Sequence, residues 1–261
     1  MVLPLPVNLG LLLFQRAKKA VGGAKILQFK EQNQAKKQLE KVSLTGKGQY
    51  APSLHLQLVE LEDDLKRLKS YVTRADKIAH KRDVLLPKWL PIVEDYLAKK
   101  GKQNEDNPIY AYCTIWLFDV GNFARGIEFG FRAIELNQPM ASSIRRQWPG
   151  FIADTVFDWA QTQAEKGNSI EPYFGQVFKC VANTWKLPEQ VTAKYYKFAG
   201  LALLRSKNGD ISPSTVGDVQ RLQQADGYLA KAAELHKHAQ VKTVRNKIAM
   251  RLRAIAELNA Q

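Results

Sequence analysis

Apolar residues recur along this chain at intervals of three and four. The strict apolar–polar alternation of half-buried strands is missing, so the pattern predicts helices and no sheet. The clearest run starts at Leu54: Leu54, Leu58, Leu61, Leu65, Leu68, Val72, Ala75 and Ala79 step by four and three in alternation. A repeat of about 3.5 residues keeps one apolar seam along a helix, and Glu60, Glu62, Asp63, Asp64, Lys66, Arg67 and Lys69 fall on its other faces. We expect one long helix within residues 51–84, whose seam at Leu54, Leu58, Leu61, Leu65, Leu68 and Val72 joins copies of the chain as a coiled coil. The competing reading is an amphipathic helix laid on its own chain.

The repeat stops at Leu85-Leu86-Pro87-Lys88-Trp89-Leu90-Pro91. A residue before proline is pushed out of the helical region, so the helix is expected to end near Asp83, leaving Trp89 exposed or docking between two prolines. Pro91 suits the first turn of the next helix, through Ile92, Val93, Tyr96 and Leu97, and the polar stretch from Lys99 to Asn107 closes that hairpin. Helices then follow from Tyr110 to Phe118 and from Phe123 to Leu136, around a turn at Asp119-Val120-Gly121-Asn122. Gly121, Ala133, Ile134 and Pro139 stand where a tetratricopeptide-like hairpin places its small, apolar and terminating residues. A connection from Pro139 to Pro149 carries Arg145-Arg146 beside Trp148. Further helices are expected from Phe151 to Glu165, Pro172 to Asn183 and Pro188 to Leu204.

The stretch from Ser206 to Asp218 is rich in Ser, Gly, Asn and Pro and reads as a linker. Val219 to Leu235 and Val241 to Leu258 form a last hairpin. The expected fold class is all-α, built of helical hairpins with a long heptad-patterned N-terminal helix, tetratricopeptide-like turns and no sheet. Its parts are a basic, flexible arm (1–50), the heptad helix for oligomerisation (51–84), a helical core (85–205), the linker (206–218) and a basic C-terminal hairpin (219–261).

Composition sharpens this picture. With 45% apolar residues in 261, the chain has ample material for a packed core. Lys and Arg number 39 against 25 Asp and Glu, a formal charge of +14, which is the footprint of a protein that meets phosphate or another anionic surface. The excess is concentrated at two places. Arg16, Lys18, Lys19, Lys25, Lys30, Lys36, Lys37, Lys41 and Lys47 face only Glu31 and Glu40 in the first fifty residues, and Lys237, Lys242, Arg245, Lys247, Arg251 and Arg253 lie in a stretch without any acid. Two cysteines, neither in a C-x-x-C pair, suit a reducing cytoplasm better than a disulfide framework. Met1 to Phe14 is apolar, but prolines and a glycine interrupt it and the basic residues follow it, so neither a secretory signal nor a membrane span is expected.

No catalytic set emerges, and no metal or cofactor is expected. Thr45-Gly46-Lys47-Gly48 lacks the spacing and the Ser/Thr of a phosphate-cradling ATPase loop. Asp63-Asp64-Leu65-Lys66 resembles a nuclease string, yet reads more simply as the solvated face of the heptad helix. His236 and His238, two apart on a helix, would diverge. His55 and His80 stand alone. Binding is favoured over catalysis, with Lys18, Lys19, Lys36, Lys37, Arg145, Arg146, Lys242, Arg245, Lys247 and Arg251 as candidate DNA contacts, of the phosphate-neutralising kind that weakens with salt.

Leu85-Leu86-Pro87-Lys88-Trp89-Leu90-Pro91, then Trp116-Leu117-Phe118-Asp119-Val120-Gly121-Asn122, then Ala133 to Pro139 and Arg145-Arg146 together resemble the small terminase subunit of peduovirus-type phages, the gpM family. That resemblance implies recognition of the cohesive-end site on double-stranded viral DNA, recruitment of a large terminase subunit with ATPase and nuclease activity, direction of cos cleavage, and initiation of packaging into the prohead. It also implies a homo-oligomer in the cytoplasm of an infected bacterial host, without membrane attachment. The family is associated with endonuclease activity, which the motif search leaves to the assembled terminase. The alternatives are that the chain is itself the endonuclease subunit, or that it is a tetratricopeptide-like protein-interaction scaffold that binds no DNA.

Overall fold

A computed structural model describes residues 54–99 and 106–260, and every regular element within them is helical. In order these are α1 (Leu54–Ser70), α2 (Arg74–His80), a π-helical turn (Lys81–Leu85), α3 (Leu86–Ala98), α4 (Pro108–Asp119), α5 (Phe123–Glu135), α6 (Trp148–Glu165), α7 (Tyr173–Asn183) and α8 (Glu189–Ala202). A 3-10 turn (Pro213–Thr215), α9 (Val219–Leu235) and α10 (Lys242–Asn259) complete the series. The described residues contain no strand, and an isolated bridge joins Arg205 to Ile211. The all-α class expected from periodicity is the one observed.

The core forms around α4. Its residues Ile109 to Phe118 are apolar almost all round, save Thr114, and nearly all are buried, as a helix without a polar face requires. Pro108 occupies the first turn, where its missing N–H costs nothing, and the Asn107 side chain accepts from the Tyr110 N–H at 3.1 Å. Thr114 donates back to the Tyr110 carbonyl at 2.9 Å and Tyr110 donates to the Phe129 carbonyl at 2.6 Å, so both buried hydroxyls are satisfied. Buried Gln138 ties three elements. Its side chain accepts from Asn107 N–H at 2.9 Å and donates to Tyr96 at 3.0 Å, while its carbonyl receives the Trp148 indole at 2.8 Å.

The N-terminal helices depart from the heptad reading. The repeat through Ala79 is one pattern on two helices, because Thr73 caps a new helix: its hydroxyl accepts from the Asp76 N–H at 3.0 Å with its own backbone extended. A cap of this kind is worth about 1 kcal/mol and competes directly with continuing the helix. The expected end near Asp83 is also corrected. Backbone runs helically from Arg74 to Ala98, and the π turn absorbs one extra residue just before Pro87, whose absent N–H therefore falls in the first turn of α3. Pro91 lies inside that helix and not at its start.

The seam itself is occupied within the chain. Leu61 is buried, and Leu58, Leu65 and Leu68 pack against the main core, leaving Leu54 and Val72 exposed at the two ends. Trp89 docks inward, fully buried.

The stretch read as a linker is packed. Pro213 and Val216 are buried, and Val216 joins Leu204, just before the stretch, and Leu222, Leu229, Val241 and Ile248 in a second cluster beneath α9 and α10. Composition suggested solvent because Ser, Gly and Asn have little to bury. Its backbone is nevertheless satisfied: Ser206 N–H donates to the Asp210 carbonyl and Ser212 N–H to the Leu204 carbonyl, and the Gly209 and Val216 carbonyls accept from Arg205 and Arg251.

Candidate nucleic-acid interface

The candidate DNA contacts divide into three groups. Lys18, Lys19, Lys36 and Lys37 lie outside the described residues. In the turn before α6, Arg145 is exposed and has no ion pair among the described residues, whereas Arg146 pairs with Asp154 at 2.6 Å. The third group lies on α10, where the helical spacing sets each cation's fate.

Ile248 is buried at the centre of the inner face of α10, flanked by partly buried Val244, Leu252 and Ile255. Lys242, Asn246, Ala249 and Arg253 step by four, three and four and therefore share the opposite, exposed face. Lys247 is exposed at its edge. Neither Lys242 nor Lys247 has an acidic partner among the described residues. Arg245 instead forks onto Asp226 of α9, with Nε and Nη2 at 2.7 and 3.0 Å from the two carboxylate oxygens. That hydrogen-bonded pairing raises the Arg245 pKa further above its ordinary value, and its charge is spent on joining α9 to α10. Arg251 donates Nε to the Val216 carbonyl at 2.9 Å, which anchors the side chain without neutralising it.

Two cations escaped sequence reasoning. Arg205 donates Nη1 to the Gly209 carbonyl, and Arg221 donates Nε to the Leu203 carbonyl and Nη2 to the Arg205 carbonyl at 3.3 Å. With Arg251 they make three guanidinium groups bound to one loop's backbone, none of them paired with a carboxylate among the described residues. Nothing in the local pattern announces this, since Arg221 and Arg251 lie far along the chain from the carbonyls they meet.

The other candidate chemistry resolves into structural pairs. Asp63 pairs with Lys66 at 3.0 Å. Asp64 receives the Lys88 ammonium at 2.6 Å and the Trp89 indole N–H at 2.9 Å. Among the described residues no three His, Cys, Asp or Glu side chains are grouped so as to hold a metal ion. His236 and His238 do not diverge as expected: α9 ends at Leu235, and the turn after it brings their rings to 5.8 Å. His80 is buried, with Nδ1 3.2 Å from the Tyr71 hydroxyl. Burial pushes the Cys113 thiol well above its ordinary pKa, and Cys180 is raised by burial too.

An all-α chain with a cationic C-terminal hairpin is the class that this geometry defines. Comparison with known proteins makes it specific: residues 58–190 match the phage small terminase subunit family. Over 234 residues the chain is 38% identical to a protein of Haemophilus phage HP1 (strain HP1c1) named "Probable terminase, endonuclease subunit", covering 88% of this chain and 83% of that one. The chain belongs to the phage small terminase subunit family. No solved structure matches it. No described helix is long and apolar enough to cross a membrane.

Proposed function

We propose that this chain is the DNA-selecting part of a phage terminase. It binds double-stranded viral DNA at the cohesive-end site, recruits a large subunit that carries ATPase and nuclease activity, directs cos cleavage and so starts packaging into the prohead, in the cytoplasm of the infected bacterium. The observation that carries this reading is the charge left unspent. Of the ion-pairing capacity near the C-terminal hairpin, Asp226 is given to Arg245, while Lys242, Lys247, Arg251, Arg205 and Arg221 retain their positive charge without acidic partners among the described residues. Positive charge left without nearby carboxylates is costly unless a polyanion offsets it.

Self-association belongs to the same proposal, because phosphate contacts that are weak singly gain by effective concentration when several protomers are linked. With its leucine seam turned inward, α1 offers a second copy its outer face and the exposed Leu54, and the turn after it offers the exposed Val72. The name of the phage HP1 relative supports a second reading, in which the small subunit itself cuts. Incubating the purified chain with cohesive-end DNA and magnesium, with and without the large subunit, separates the two. Shifted but intact DNA from the chain alone, and cut DNA only with the large subunit, is the result expected; cut DNA from the chain alone establishes the second reading.

A further inference from the structure

The loop after α8 and the flank of α10 line a groove of about 460 Å³, to which the loop contributes Ile211, Ser212 and Ser214 and the helix contributes Lys247, Met250 and Arg251. Among the described residues no carboxylate lines it. We propose that this groove is a built phosphodiester site that grips one backbone phosphate of duplex DNA, an inference that rests on the DNA-binding reading and adds a defined subsite to it.

The loop is held in place before any ligand arrives. Ser212 donates its N–H to the Leu204 carbonyl at 3.0 Å, and Thr215 closes the turn with its hydroxyl on the Ser212 carbonyl at 2.9 Å. The hydroxyls of Ser212 and Ser214 then lie 3.3 Å apart, a spacing at which both can serve neighbouring oxygens of one anion. Arg251 enters with Nε fixed on the Val216 carbonyl, leaving its other nitrogens without a partner among the described residues. Lys247 supplies a compact, mobile charge of the kind that meets phosphate as a point cation.

The surroundings reinforce the sign. Arg205 and Arg221 bring two more guanidinium charges into the backbone of the same loop. Of the acids nearest in sequence, Asp218 is committed to the N-terminus of α9, accepting from Gln220 and Arg221 N–H at 2.9 and 3.2 Å, and Asp210 is exposed and does not line the groove. The exposed side chains of Ile211 and Met250, at 40% and 64%, fit the apolar face of a deoxyribose beside the phosphate. Serine hydroxyls with a lysine and an arginine are ordinary backbone-positioning contacts. They add affinity and register but no base preference.

The test is fluorescence anisotropy of the full chain on a labelled duplex across a salt series, with Lys247→Gln, the double variant Ser212→Ala/Ser214→Ala, and Lys66→Gln on α1 as a distant control. Circular dichroism and thermal melting confirm that each variant keeps its fold. Lys247→Gln is expected to weaken binding several-fold and to flatten the log–log salt slope by about 0.9, the contribution of one phosphate. The serine variant is expected to weaken binding with the slope unchanged, because hydroxyls release no counterion. The control behaves as wild type. If wild type binds and both groove variants match it, the groove is refuted while the DNA-binding reading stands. A changed slope for Lys247→Gln with no loss in the serine variant also refutes it, because that describes one exposed lysine near DNA. A wild-type chain that ignores duplex overturns both claims.

Discussion

Trp89 donates its indole N–H to Asp64 across 2.9 Å, so one carboxylate on α1 holds the buried ring at the heart of α3. The adjacent Lys88 donates to the same oxygen at 2.6 Å and reaches Glu60 at 2.9 Å. The string that looked like nuclease chemistry is thus the clasp between the first described helix and the core. Removing it leaves an indole N–H without an acceptor and weakens the hold on a cation. We expect Asp64→Ala to cost about 2–4 kcal/mol in urea unfolding. Asp64→Asn keeps a neutral acceptor for Trp89 and is expected to cost less.

The same clasp makes stability depend on alkaline pH. Partial burial by itself lowers the Lys88 pKa, but the hydrogen bonds and charges of Asp64 and Glu60 outweigh it, and the pKa ends above its ordinary 10.5. A lysine pKa raised on folding contributes stability that is complete below the unfolded value and is lost as pH climbs through the folded one. Thermal melts of wild type and Lys88→Met should therefore differ by a constant amount up to about pH 10 and converge above it. A gap that persists unchanged into strong alkali contradicts the pairing.

Because the leucine seam of α1 covers its own core, truncating it is a folding lesion. Leu61→Ala should reduce unfolding free energy by about 2–4 kcal/mol while light scattering reports the wild-type particle mass. A loss of mass without a loss of stability would return the seam to an interface between chains.

Gly200 of α8 faces α9 with no room for a side chain. A Cβ there would stand 2.8 Å from Leu229 Cγ and 2.9 Å from the Ala225 carbonyl oxygen, and that backbone atom has no room to yield. Gly200→Ala gains about 1 kcal/mol of helix propensity but is expected to lose more by overpacking, for a net destabilisation of about 1–2 kcal/mol in chemical denaturation.

Much of this architecture was legible because apolar spacing and the polar stretches between helices agree with where the helix ends are capped. Asp218 caps α9 just before its first apolar residue, and α9 spans the expected Val219 to Leu235; Asn122 likewise begins α5 at the expected Phe123. The long N-terminal helix misled because a heptad count scores apolar spacing and is blind to Thr73, whose hydroxyl stops the helix. Two prolines suggested a break at Leu85 to Pro91, but the π turn shifts the hydrogen-bond register so that Pro87 costs little.

The pairing state of the candidate contacts was half legible. Basic residues on α10 can be counted in the sequence, yet Arg245 finds Asp226 nineteen positions earlier and Arg251 finds a carbonyl thirty-five positions earlier. Which cations remain free is settled by pairing across the hairpin, and the Ser212–Ser214 edge of the groove lies in a stretch whose composition read as solvent.

The most direct measurement of the central claim is the affinity of the purified chain for duplex DNA across a salt series. The log–log plot is expected to be linear and steep, with about 0.9 of slope for every phosphate neutralised, and with intact duplex recovered at the end. No binding at about 50 mM salt, or an affinity indifferent to salt, would contradict the proposal that these unpaired cations hold a genome.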